Sequence, residues 1–197
     1  MTMGNPEQDA RLIELAEQIA NGAHMGQTDK TGNNYVEHPR RVAENVLGVP
    51  HDPMQTNLAQ LQCVAWLHDV IEDGPANGYM LDLDDWRRFG FTEDTIEAVQ
   101  VLSYHKPKFE EGISAIERAA LEKQSKLDYY LRIAMHPIAR PVKLADLADN
   151  CNLQRQESLK ASGVHHDPDK YPLALATIGL TPTEWEWFNE CIKKQVG

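Results

Sequence analysis

Three short segments concentrate the side chains that can hold a cation or move a proton. The densest is WLHDVIEDG, residues 66–74, which carries His68, Asp69, Glu72 and Asp73. Leu58, Leu61, Val64, Ala65, His68 and Ile71 recur at spacings of three and four, so His68 is expected on the inward face of a helix. A lone inward histidine is ordinarily a satisfied core residue. Here four ionisable groups fall within six residues, and burying them without a cation is costly. A solvated acidic helix end explains them poorly, because acids at a helix C-terminus oppose the macrodipole. The second segment is VKLADLADN, residues 142–150. There Val142, Asp146, Asn150 and Leu153 share a face by spacing. Alone it reads as a buried ion pair or a capping hydrogen bond. The third, YVEHPRR at 35–41, puts His38 in a first helical turn, where a surface histidine is the default.

These segments need rigid elements to carry them, and the chain supplies helices. Residues 7–22 show an apolar stripe of helical period. The Gly-, Thr- and Asn-rich stretch GAHMGQTDKTGNN reads as a loop. A second helix is predicted from Tyr35 to Leu47, with Pro39 tolerated in its first turn. A third is predicted from Pro53 to Asp73, stopped by Gly74, Pro75 and Gly78. Further helices are predicted over 82–89, 92–103 (capped by Thr92), 114–134, from Ile138 onward, 168–178 and 182–194, the last capped at Thr181. No strand is predicted. The fold class is therefore all-α. The expected organisation is one domain over 1–197, with a core at about 10–155 and C-terminal helices at 165–195 packing on it.

Bulk composition narrows the partners. The formal net charge is −11 over 197 residues, which argues against nucleic acid as a partner because phosphate backbones need clustered Lys and Arg. A small phosphorylated substrate stays open, since a bound cation and a few local lysines can hold it. Cys63, Cys151 and Cys191 are odd in number and widely spaced, so a reducing, cytoplasmic setting is expected. The N-terminal residues do not read as a signal peptide. No stretch approaches a membrane span.

Taken in order, the segments give H…HD…D, and in this the sequence resembles the HD-domain phosphohydrolases, all-α bundles. It resembles RelA/SpoT-type alarmone hydrolases more closely. HDVIEDG is similar to their HDVVEDT, KLADLADN to their KLADRLHN, and GQTDKTGNNYVEHP to their GQxRKSGxPYxxHP. The similarity runs from about Gly26 to Asn150, and the length fits a small alarmone hydrolase without a synthetase half. The resemblance implies that His38, His68, Asp69 and Asp146 ligate one divalent ion, Mn2+ in that family. Imidazole and carboxylate together also suit Fe, Co, Zn or Mg. It implies that Glu72 and Asp73 position and activate the attacking water. Lys30, Tyr35 and Asn150 match substrate-side positions. Two positions depart: Asp29 and Leu147 stand where the family has arginine. An acid at 29 would repel phosphate and could not stack on a purine, so an adenosine analogue of (p)ppGpp stays open as the substrate.

From the residues alone, Lys106, Lys143 and Tyr129 are further substrate contacts. Lys108 and His105 in the loop HKPKFEEG are weaker ones. His165, His166, Asp167 and Asp169 resemble a metal cluster in composition, but their loop setting predicts a turn instead. Trp185, Trp187 and Phe188 read as helix packing or a homo-oligomer surface. The implied activity is hydrolysis of a 3′-pyrophosphate on a purine nucleotide, a stringent-response signal. The alternatives are another HD nucleotide phosphohydrolase, such as a 5′-nucleotidase or dNTP hydrolase, and a non-catalytic nucleotide-binding HD module. Geometry sets one requirement. Adjacent helical residues diverge by about 100°, so His68 and Asp69 share an ion only if it lies between their directions.

Overall fold

The computed structural model describes residues 5–54, 57–80, 82–163 and 170–194. Among them the architecture is built from helices, and the strand-like pairing is an isolated bridge between Thr28 and Asn34. In chain order these are α1 (Pro6–Ala23), α2 (Glu37–Asn45), α3 (Leu58–Leu67), the single turn α4 (Val70–Asp73), α5 (Leu83–Phe89), α6 (Glu93–Leu102), α7 (Ala115–Ala134), α8 (Ala139–Asn150), α9 (Leu153–Ala161), α10 (Lys170–Ile178) and α11 (Pro182–Cys191). Short 3₁₀ turns follow α2 and α4. No helix among the described residues is long and apolar enough to cross a membrane.

Side-chain caps fix the helix starts. Thr92 accepts from the Thr95 N–H, as its spacing predicts. Ser114 with Glu117 and Thr181 with Glu184 form reciprocal capping boxes, each satisfying two otherwise orphaned donors.

Two helices form the centre. In α3, Leu61 and Cys63 through Leu67 are buried, and in α8 nearly every residue from Ala139 to Asp149 is buried. A helix buried on all sides belongs in the middle of a bundle. Helices α1, α2 and α6 pack on α3, while α2, α6, α7 and α11 pack on α8, and α10 lies against α7. Any charged group on α8 is thus delivered to the interior. Gly22 near the end of α1 permits one close approach. A Cβ there would lie 2.7 Å from the Tyr79 ring.

Two sequence readings need correction, and a third falls on residues that are not described. The helix predicted from Pro53 starts at Leu58, where Asn57 accepts from the Gln60 N–H. Leu58 is 44% exposed and so is not part of the inward stripe. Leu153 does not continue the α8 face. It opens α9 and is 52% exposed. Residues 165–169, with His165, His166, Asp167 and Asp169, lie outside the described residues.

Candidate metal centre

His38 from α2, the His68–Asp69 pair after α3, and Asp146 from α8 converge at the centre of the bundle. The Nε2 of His68 lies 3.1 Å from Asp69 Oδ2 and 3.9 Å from Asp146 Oδ1. The Nε2 of His38 lies 3.2 Å from Asp146 Oδ1 and 3.7 Å from Asp69 Oδ2. His38, His68 and Asp69 form the tightest group, their ligand atoms all within 4.8 Å of one another. Asp146 closes the set from the opposite helix. His68 Nε2 is buried and has no hydrogen-bond partner despite the nearby carboxylates. A buried nitrogen that faces acids without hydrogen-bond geometry has the chemistry of a metal donor. The residues present therefore fit a divalent ion.

The requirement on His68 and Asp69 is met by a break in the chain that the periodicity did not predict. Helix α3 stops at Leu67, and α4 resumes at Val70. His68 Nδ1 lies 2.6 Å from the Ala65 carbonyl. In an unbroken helix that carbonyl would accept the Asp69 N–H. The ring thus competes with the backbone bond, and Asp69 leaves helical geometry (φ −101°, ψ −6°). The turn brings both side chains to one place. It also leaves the His68 Nδ1–H donating to the backbone and Nε2 facing the cluster.

Several residues hold these four groups. Tyr35 donates its hydroxyl to Asp69 Oδ2 at 2.6 Å. Lys143 pairs with Asp146 Oδ2 at 2.7 Å, and the Asn150 amide donates to Asp146 Oδ1 at 2.5 Å. Tyr35, Lys143 and Asn150, read from sequence as substrate contacts, are in contact with carboxylates of the cluster. Tyr129 does not stand as an open contact. It is 6% exposed, its hydroxyl donates to the Leu102 carbonyl at 2.5 Å, and its ring lies 5.5 Å from Lys143 Nζ. It packs behind Lys143.

Sequence reasoning missed Asp149. It is 3% exposed and sits 2.7 Å from His38 Nδ1. Arg41 donates to both of its oxygens, at 2.5 and 3.1 Å. A carboxylate on the far nitrogen of a ligating histidine fixes the tautomer and ring orientation. The available signal was its place three residues after Asp146, on a helix without polar exposure.

Electrostatics follow the geometry. Burial pushes His38 down, but Asp146 and Asp149 outweigh it and raise it to about 9. Burial would raise Asp149, yet His38 and Arg41 hold it at about 2. Burial opposes ionisation of Asp146 too, and Lys143 and the two histidines overcome that and hold it well below the usual carboxylate range.

Glu72 and Asp73 sit one turn past Asp69. Glu72 Oε1 accepts from the Tyr104 backbone N–H at 2.6 Å. Partial burial, and then the charge of Asp69, leave its carboxyl above the usual range despite that bond. Asp73 Oδ2 accepts from Gln27 at 2.8 Å. Beside Glu72, Tyr104, His105, Lys108, Tyr129 and Arg132 line a cleft of about 440 Å³. Lys30 and Lys106 are exposed, with no ion-pair partner among the described residues.

Asp29 does not act as a free acid toward a substrate. It accepts from the Thr31 N–H, the Thr31 hydroxyl and the Asn33 N–H, at 2.7 to 3.0 Å. It also pairs with Arg155 of α9 at 3.3 Å. The expected repulsion of phosphate is thereby offset by a guanidinium. Asp29→Ala should lower stability by about 1 kcal/mol, the net scale for hydrogen bonds whose part-buried donors can turn to water. Thermal melting measures it, and an unchanged midpoint would show that the loop holds itself.

Fold and site together define an all-α protein with a possible His/Asp metal centre at the core of its bundle. No family model matches the chain. It is similar to two kinds of curated protein. Over 178 residues, 89% of this chain, it is 27% identical to a GTP pyrophosphokinase of Streptomyces coelicolor. Over 71 residues, 36% of this chain, it is 39% identical to the bifunctional (p)ppGpp synthase/hydrolase SpoT of Escherichia coli K12. The same figures hold for a guanosine-3′,5′-bis(diphosphate) 3′-pyrophosphohydrolase of Escherichia coli O157:H7. The matches span 19% and 9% of those proteins' lengths.

Proposed function

We propose that this chain is a metal-dependent hydrolase that removes pyrophosphate from the 3′ position of a purine nucleotide of the (p)ppGpp type. The observation that carries this reading is the convergence of His38, His68, Asp69 and Asp146, with two carboxylates one turn away. Mn2+ is the proposed ion, held by those four side chains. A divalent ion there supplies Lewis acidity and charge neutralisation to a phosphoryl group. The protein's own groups do the rest. Glu72 or Asp73 takes the proton from the attacking water. Tyr35, Lys143, Asn150 and Asp149 hold the ligands in their orientations. Lys30 and Lys106 are the proposed phosphate contacts. The names of the relatives support a (p)ppGpp-type substrate, and the carboxylate pair beside the centre favours hydrolysis over pyrophosphoryl transfer.

The test is a screen with Mn2+ of guanosine and adenosine 3′-pyrophosphates beside ordinary 5′-nucleotides. Pyrophosphate release from a 3′-pyrophosphorylated nucleotide is the expected result. Turnover confined to 5′-monophosphates or dNTPs would replace this reading.

The centre also predicts opposed pH dependences. His38 titrates at about 9 in the metal-free fold, above its unfolded value of about 6.5. Its stabilisation is therefore full below about pH 6.5 and is lost as pH rises through about 9. Metal binding runs the other way, because a ligating imidazole must give up its Nε2 proton. Mn2+ added to the protein near pH 7.5 should release about one proton from His38, with any further release from His68, whose imidazole is pushed down by burial but raised on balance by Asp69 and Asp146, and the release should vanish above about pH 10. Calorimetry in buffers of different ionisation enthalpy measures this. Proton-free binding at pH 7.5 would mean that His38 is neutral before the ion binds or is not a ligand.

A further inference from the structure

Gln27 lies in the loop between α1 and α2. Its side chain is held at both ends. The amide nitrogen donates to Asp73 Oδ2 at 2.8 Å, across 46 residues of sequence. The amide oxygen lies 2.8 Å from the Asn77 amide nitrogen and 2.8 Å from His24 Nδ1. Chemistry fixes which end is which. An ionised carboxylate only accepts, so the Gln27 NH2 must face Asp73. The reversed amide would set oxygen against carboxylate and NH2 against the Asn77 NH2. With Gln27 Oε1 as acceptor, His24 Nδ1 carries the hydrogen.

The clamp is well supported. His24 is 2% exposed, and its ring centroid lies 4.9 Å from that of Tyr35. The Asn77 amide also donates to the Ala23 carbonyl at 2.9 Å. The Tyr35 N–H donates to the Gln27 carbonyl at 3.0 Å. One loop therefore reaches Asp73 through Gln27 and Asp69 through Tyr35. Among the described residues, Gln27 is the hydrogen-bond partner of the Asp73 carboxylate.

We propose that Gln27 is a positioning residue for Asp73: its amide, oriented by His24 and Asn77, holds that carboxylate in place beside the centre. A donor on one oxygen fixes the carboxylate plane and leaves the other oxygen for a water. This rests on the proposed hydrolysis.

The test compares Gln27→Ala, Gln27→Glu, Asp73→Asn and the double variant Gln27→Ala/Asp73→Asn in Mn2+-loaded protein. The substrate is guanosine 3′,5′-bis(diphosphate). Gln27→Ala should lower kcat about 10- to 100-fold, the scale for outer-shell partners, with KM and Mn2+ affinity within about threefold. Gln27→Glu should move the acidic limb of the pH–rate profile upward, because two facing carboxylates share a proton. In the double variant Gln27→Ala should add nothing to Asp73→Asn. Asn77→Ala, which removes one donor while leaving Gln27, should give a smaller loss and covers the case in which Gln27→Ala folds poorly. Full kcat in both Gln27→Ala and Asn77→Ala, or a further loss in the double variant, would overturn the positioning role while leaving hydrolysis intact. If Asp73→Asn itself keeps full turnover, Gln27 has no catalytic carboxylate to position and the proposal is overturned, with Glu72 left as the proton acceptor.

Discussion

Asp69→Ala is expected to lose Mn2+ and turnover together. Asp69 Oδ2 is within 3.7 Å of both histidine Nε2 atoms and accepts the Tyr35 hydroxyl. Removing it deletes one ligand and frees the phenol that orients it. Two histidines and Asp146 remain, but the charge facing the cation falls by one. Affinity should fall by more than about 100-fold, beyond the loss typical of an outer-shell partner. Metal catalysis supplies several kcal/mol, so turnover should drop about 1,000-fold or more at about 1.4 kcal/mol per tenfold. The fold should survive, because Asp69 is 20% exposed at its side chain and sits where the helix is already broken. Mn2+ should raise the melting temperature of the parent protein by mass action and leave the variant unmoved. A variant that still binds Mn2+ normally would remove Asp69 from the ligand set.

That experiment bears on residues whose meeting the sequence implied only through a family resemblance. Helical periodicity placed His68 inward, and the face shared with Val142 placed Asp146 inward. Both are buried. The break between Leu67 and Val70 was not legible, because it arises from the His68 ring bonding to the Ala65 carbonyl rather than from a glycine or proline. Asp149 was hidden in the same way. Its partners His38 and Arg41 are more than 100 residues away in sequence, and no local spacing signals such a bond. Asp29 shows the opposite error. As a substitution in a motif it read as a charge toward the substrate, whereas Thr31, Asn33 and Arg155 absorb its carboxylate. Tyr35, Lys143 and Asn150 were recognised as residues of the site, but their bonds run to the cluster's carboxylates. Polar residues near a charged centre are ambiguous in sequence, because supporting a ligand and gripping a substrate call for the same side chains.

The second large effect is expected at Glu72 and Asp73, and it should be of a different kind. Both carboxylates sit one turn past Asp69, the proposed ligand, and neither belongs to the compact His38–His68–Asp69 group. Glu72→Ala and Asp73→Ala should therefore keep Mn2+ affinity while the proton acceptor among them loses about 100- to 10,000-fold in kcat, the usual worth of a general base. The pH profile separates the two. Glu72 has its carboxyl raised by partial burial and by Asp69. If it must be ionised to act, turnover falls as pH drops through that raised value, and Glu72→Ala abolishes the limb. If Asp73 is the acceptor, the limb persists in Glu72→Ala and disappears in Asp73→Ala. The Tyr104 N–H that holds Glu72 belongs to the backbone, so substitution at 104 leaves that bond available, whereas the donor to Asp73 is a side chain and can be removed. Unchanged turnover in both alanine variants, with Mn2+ still bound, would mean that water is activated without either carboxylate.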